Sequence, residues 1–298
     1  MRLTQVRDFL AVVDCGSINA AARKLGVSQP GLTKSLGTLE KELGAALLKR
    51  SPTGVTLTAL GRSFHTRVRA GYAELERAQQ EVTRGGQAQV ALGFGPFFAP
   101  QVVPQAVLRF RQQYPEVQLR LVEGLRHATG PMVRDATLDM SLAPRPPQGP
   151  PDPAIRFKPI AHLRQIVVAR RGHPLARVRS AAELGGQAWV CNLRRDAATA
   201  VLRAIGAPDP RQIIECESVS ALLTLLAGSD LLAVVQHPFL DLPQVAGAVQ
   251  EIPIAERLPG MTVGLHTRAD APLSRPAAAL ARLLSEVGRQ VLQRPGTT

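Results

Sequence analysis

The chain has 298 residues, 45% of them apolar, and a formal charge of +13 from 36 Lys and Arg against 23 Asp and Glu. That length calls for two or three domains, and that apolar fraction excludes a disordered or fibrous polypeptide. The positive excess makes polyanions natural partners and is densest near the N-terminus, where residues 1–57 hold eight Lys or Arg and four acids.

In chain order, Leu3, Val6, Phe9, Leu10 and Val13 fall at helical spacing and predict an opening amphipathic helix. Ser17 then caps a short helix with Ala20, Ala21 and Leu25 on its inner face. Ser28 caps a second helix with Pro30 in its first turn, where a missing N–H is harmless. Leu32, Leu36, Leu39 and Leu43 form one stripe of that helix and leave Gln29, Thr33, Lys34 and Thr38 facing outward. Two helices joined at Gly26-Val27 are the pattern of a helix-turn-helix, whose second helix enters the DNA major groove. Leu47 to Leu57, turning at Pro52-Thr53-Gly54, reads as a β-hairpin carrying Lys49 and Arg50, a basic wing suited to phosphates.

Thr58 caps the next segment, Ala59 to about Arg84, which contains no proline. At 1.5 Å per residue it would be a rod of roughly 38 Å. Its apolar stripe (Leu60, Phe64, Val68, Tyr72, Leu75, Gln79 and Val82) calls for a partner helix, most simply that of a second copy; Gly85-Gly86 ends it.

The first sixty residues resemble the DNA-binding domain of LysR-type transcriptional regulators. The resemblance is carried by Phe9, Ser17, Ala20 to Ala22, Leu25, Ser28-Gln29-Pro30, Leu32, Leu39-Glu40, Leu43-Gly44, Leu47-Leu48, Arg50, Val55, Leu57-Thr58 and Gly61. Gly31 and Leu48 depart from the family's usual Ala and Phe, and Gly37 lies within the recognition helix. The remaining chain has the length and order of that family's effector domain.

From Gln87 strands and helices alternate. Strands are expected at 90–94, 117–122, 138–142, 165–170, 189–191, 213–217, 231–235 and 261–265. Helices are expected at 101–114, 128–136, 181–184, 197–205, 219–227 and 275–293. The alternation calls for a mainly parallel sheet. Pro144 to Pro153, with six prolines, is a loop or the approach to a crossover. The fold class is therefore α/β, in three parts. A winged helix-turn-helix (1–58) and a linker or dimerisation helix (59–86) precede a two-lobed, periplasmic-binding-protein-like effector domain (87–298). Lobe I spans about 87–162 and 267–298, lobe II about 163–266.

Ligands of open α/β sheets sit beyond the carboxyl ends of the strands. The loops there are Gly95 to Pro100, Leu125 to Thr129, Asn192 to Asp196, Ser218 to Ser220 and Gln236 to Phe239. Several LysR-type proteins hold a ligand carboxylate with a Ser or Thr in the first loop. Here Gly95-Pro96-Phe97-Phe98 stands instead, so backbone or other groups must supply that contact. Phe97 and Phe98 either line an apolar or aromatic pocket or belong to the core. Thr129, Ser218 and Ser220 can cap helices, bind ligand, or both. Arg194 and Arg195 can pair an acid or face water, and His237 is a further candidate. His173-Pro174-Leu175 resembles the family's structural turn.

The three cysteines (Cys15, Cys191 and Cys216) lack metal spacing and read as free thiols in a reducing compartment. No GxSxG, P-loop, GxGxxG or HExxH occurs, so no catalytic residue, cofactor or metal is expected. With no signal core and no spanning run, the expected compartment is the cytoplasm. The resemblance implies a regulator that binds an inverted repeat in double-stranded DNA, senses a small-molecule effector between its lobes and forms dimers and tetramers, with RNA polymerase a further partner. Two alternatives stand beside it. One is a small-molecule binding or carrier protein whose N-terminal module only dimerises; the other is an architectural DNA binder with an empty effector domain.

Overall fold

The computed structural model describes residues 1–51, 54–83, 88–145, 152–192, 194–242, 245 and 247–293, with Arg50, Arg77, Gln80, Glu81 and Thr83 described by backbone alone. The Pro52-Thr53 turn, the Gly85-Gly86 joint and most of the proline-rich loop lie outside the described residues. The chain forms two compact units, Met1–Gln89 with Arg134–Thr137, and Val90–Val133 with Leu138–Thr298.

The first unit contains α1 (Leu3–Cys15), α2 (Ile18–Leu25), α3 (Gln29–Leu43), the hairpin β1 (Leu48–Ser51) and β2 (Gly54–Leu57), and α4 (Ala59–Thr83). Ser17 and Ser28 accept from the N–H groups of Ala20 and Gly31, as caps do, and α2 and α3 end at Gly26 and Gly44 in the left-handed region. Phe9, Val12, Ala21, Leu32, Leu36, Leu39 and Leu47 make the core. Leu3 and Leu43, the outermost members of their stripes, are exposed. The α4 stripe divides. Phe64, Val68 and Tyr72 pack on the unit's own core, whereas Leu60, Leu75 and Val82 are 62%, 52% and 82% exposed. That second set lies outside the unit's hydrophobic core cluster.

The second unit is α/β, but its strands do not pair as the alternation suggests. One sheet runs β4-β3-β5-β12-β6, from β3 (Gln89–Phe94), β4 (Gln118–Glu123), β5 (Met140–Pro144), β6 (Ile155–Leu163) and β12 (Met261–Arg268). Its helices are α5 (Val102–Gln113), α6 (Arg126–Arg134) and α9 (Arg275–Leu292). β3 and β5 are parallel, but β12 is antiparallel to both β5 and β6. In the other lobe β10 (Ala233–Gln236) and β11 (Val249–Glu251) flank β7 (Gln165–Arg170), both antiparallel to it. β8 (Ala188–Cys191) and β9 (Gln212–Glu215) pair in parallel, and Trp189 bridges to Leu232. Helices α7 (Arg195–Ala204) and α8 (Val219–Ala227) complete this lobe.

The expected mainly parallel sheet is thus corrected to mixed sheets. Strands joined by helices stay parallel, while β6, leaving lobe I, and β12, returning to it, run in opposite senses side by side. β12 pairs with β6 from Met261 onward, within the five-stranded sheet. Cys191 packs with Ala198 and Ile213, whereas Cys216 joins the Ile166 and Phe239 cluster, so adjacent strands point these thiols to opposite faces. They are not a preformed disulfide pair. His173 is buried, accepts from the Leu175 N–H at 3.0 Å and contacts the Asp230 carbonyl at 3.2 Å, in keeping with a structural turn.

Candidate nucleic-acid and effector sites

The outward face of α3 presents Gln29, Pro30, Lys34 and Thr38 exposed and Thr33 half-exposed. Gln29 Nε2 donates to Thr33 Oγ1 at 3.4 Å, and Thr38 Oγ1 donates to the Lys34 carbonyl at 2.9 Å. Lys34 makes no ion pair among the described residues and is free to extend. Behind this face Leu32, Leu36 and Leu39 are buried. A polar lock, invisible at the sequence level, fixes the helix from behind. Ser35 Oγ donates to Asp8 Oδ2 at 2.7 Å, and Asp8, 7% exposed, also takes Arg7 Nη2 at 2.9 Å. A charge-assisted bond between partners 27 residues apart pins α3 to α1.

The wing is held as firmly. Glu40 Oε1 accepts from the N–H groups of Leu47 and Leu48 at 2.7 and 3.0 Å. The Val55 N–H donates to the Gly16 carbonyl at 2.9 Å, tying β2 to the corner between α1 and α2. Thr58 Oγ1 donates to the Ala46 carbonyl and accepts from the Gly61 N–H, and a Cβ on Gly61 would lie 2.0 Å from the Leu47 carbonyl oxygen. That position admits only glycine without backbone movement. Lys49 is exposed on β1, while Arg50 is described only as the backbone partner of Val55. Recognition helix and wing therefore form one fixed surface with Ser28, Lys34 and Lys49 on it.

The five loops expected at the effector site do lie at strand ends in the second unit. His127, after β4, approaches Glu217, after β9, to 4.0 Å, so loops of the two lobes face each other. The structure separates the candidate residues. Gly95 is buried and donates its N–H to the Leu142 carbonyl at 3.0 Å, and Pro96 starts a 3-10 turn. Phe98 is 2% exposed, whereas Phe97 is half-buried against the lobe II core. Their rings meet edge-on at 5.3 Å. Of the pair, Phe98 is core and Phe97 is the member with an accessible surface.

Thr129 is a correction. It lies inside α6 rather than at its start, is 1% exposed, and its Oγ1 accepts from Ser141 at 2.9 Å. Ser218 caps α8, accepting from Ala221 at 3.3 Å, and Ser220 is exposed in the first turn. Arg194 is exposed and lies 3.6 Å from Asp196. Arg195 is turned toward β9, its N–H donating to Glu215 and its guanidinium to the Ile213 carbonyl. His237 is half-buried, with Nδ1 unpartnered among the described residues. Gln236, at the start of the last expected loop, reaches Met261 Sδ with Nε2 at 3.5 Å; sequence reasoning missed that contact and the pairing of His127 with Glu217.

Fold and site together define a winged helix-turn-helix with a helical linker, followed by a two-lobed α/β ligand-binding domain. Residues 3–62 match the family described as bacterial regulatory helix-turn-helix protein, lysR family. Residues 83–289 match the LysR substrate binding domain, well over half of the sequence. The chain belongs to the LysR family of DNA-binding transcriptional regulators, whose members carry an effector-binding domain, bind DNA and small molecules, and oligomerise. It is 29% identical over 295 residues, 95% of each chain, to the SDS degradation transcriptional activation protein of a Pseudomonas species. Its fold matches ArgP from Mycobacterium tuberculosis over 97% of both chains, with TM-score 0.70 at 14% identity. A full-length OxyR variant from Pseudomonas aeruginosa matches 100% of this chain and 98% of its own, with TM-score 0.66 at 21% identity. Among the described residues no helix is long and apolar enough to cross a membrane.

Proposed function

We propose that this regulator reads an inverted-repeat operator as a homodimer joined through α4, two dimers assembling into a tetramer. Gln29, Pro30, Thr33, Lys34 and Thr38 face base edges in the major groove, while Ser28, Lys49 and Arg50 hold backbone phosphates. The effector is a small organic anion with an apolar or aromatic body, held between the lobes. Phe97 offers the apolar wall, and Gly95, Pro96, Ser218, Ser220, Arg194, Arg195 and His237 surround it. Phe98 and Thr129 support that site from within rather than touch the ligand. The protein works in the cytoplasm, with RNA polymerase as a partner, and needs no catalytic group, cofactor or metal.

The observation that carries this reading is the exposed Lys34, without an ion pair among the described residues, on a helix locked from behind by Asp8 and Ser35. Lys34→Ala should weaken operator binding by about 1–3 kcal/mol through loss of a base contact, and a scrambled duplex should discriminate less. Equal operator affinity of variant and parent in a fluorescence-anisotropy titration would overturn the assignment.

A further inference from the structure

The second unit contains a pocket of ≈ 450 Å³ lined by none of the cleft loops. Its walls are instead the two segments by which the chain crosses between lobes. His162, Arg164 and Gln165 come from the passage of β6 into β7, and Glu251 through Gly260 from the passage of β11 into β12. Ile166, Val167, Ile252 and Leu258, all buried, form an aliphatic floor. The size lies within the range of small-molecule sites, about 300–1,000 Å³.

The charges on its rim are unequal in their commitments. Glu251 is held by the Arg164 fork at 2.8 and 3.3 Å. Glu256 accepts from Ser180 Oγ at 2.7 Å and the Ala181 N–H at 2.9 Å, which hold its carboxyl below the usual range. Both acids are thus already satisfied. Arg257 is exposed with no ion pair among the described residues, and His162 uses Nδ1 on Thr262 at 3.2 Å. The His162 ring lies over Gly260, with Nε2 2.0 Å from where a Cβ on that glycine would stand. The uncommitted charge at the mouth is therefore the Arg257 guanidinium over an aliphatic floor, with the Nε2 edge of His162 turned against Gly260.

We propose that this hinge pocket is a second ligand site, for a small organic carboxylate whose aliphatic chain lies on the floor and whose carboxylate meets Arg257 beside the His162 ring. A molecule touching both crossing segments binds unequally to open and closed lobe arrangements. It therefore shifts their populations in proportion to that difference. The site is separate from the cleft, so a cleft effector and a hinge ligand can bind together and modulate one another.

The test uses the full chain with labelled isoleucine and leucine methyls, titrated with hexanoate and, as a charge-reversed control, hexylammonium. Hexanoate should move the Ile252, Ile254 and Leu258 resonances saturably, and hexylammonium should not. Arg257→Glu, at an exposed position, should weaken hexanoate at least about tenfold, and His162→Ala should weaken it less. Movement confined to cleft residues such as Leu125, or unchanged affinity in Arg257→Glu, would overturn the site. A second arm measures operator affinity with and without hexanoate. A shift in the parent that is absent in Arg257→Glu supports hinge control, and no shift at saturation overturns it. The binding arm is independent of the DNA reading; only the operator arm rests on it.

Discussion

Three glycines around the recognition helix differ in what their missing side chains allow. Gly61 is required: its Cβ would fall 2.0 Å from the Leu47 carbonyl oxygen, which already receives the Thr58 N–H at 2.9 Å. Gly31 is crowded only by its own cap, Ser28 Oγ at 2.9 Å, whereas a methyl on Gly37 meets nothing within 4 Å. Gly37→Ala should therefore stabilise the first unit by about 1 kcal/mol, the usual helix-interior difference. Gly61→Ala should destabilise it by about 3 kcal/mol or more, because backbone rather than a flexible side chain must yield. Amide hydrogen exchange along α3 in the full chain reads both; equal protection in the two variants would contradict the argument. If Gly37→Ala also weakens operator binding, the bare backbone there is a site of close approach to DNA. At this scale legibility followed sequence distance. Ser17 and Ser28 are local caps and could be read, but Asp8 and Ser35 look ordinary until folding brings them together.

The helices were legible as elements because 3.6-residue stripes and caps are local signals, and α8 was expected over the residues it occupies. β6 was not expected at all. It alternates weakly, carries Lys158 and Pro159, and survives because it is an edge strand with a register shift opposite Val263 and Gly264. Partner identity along β12 was equally hidden, since strand period does not encode the neighbour. The α4 stripe was read correctly as apolar but not as divided. Its division yields a sharp expectation for the dimer. Leu75, 52% exposed and outside the unit's own core, can be changed without loosening the fold. Leu75→Glu should weaken self-association about tenfold or more while leaving amide-exchange protection in the core of the first unit unchanged, since a charge placed in an apolar seam must stay solvated. Sedimentation velocity across a concentration series measures it. Undiminished assembly would move the proposed dimer contact off this helix.

For the whole molecule, the sequence suggested where DNA and effector would bind but gave no sign of the pocket within the second unit. The crossing segments carry no motif, and their pocket exists only once β6, β7 and β11 converge. The same scale governs response to pH. In the first unit His65 is pushed down from its ordinary 6.5 by burial, then by the nearby Arg69 cation, and in the second His266 is pushed down by burial against its bond to Pro144. Each is therefore neutral in the folded state at a pH where the unfolded chain takes up a proton. Above 6.5 neither state is protonated and stability does not respond. As pH falls below 6.5 the unfolded state binds more protons, and stability drops until the folded-state histidine also titrates. Trp189, the sole tryptophan, belongs to the second unit and reports its unfolding by fluorescence. His266→Gln should flatten the acid-side decline of the Trp189 transition, whereas His65→Gln should leave that slope unchanged and flatten only the loss of exchange protection in α1 and α4. A Trp189 slope that responds equally to both variants would mean that the units unfold as one, and proton uptake could not then be apportioned between them.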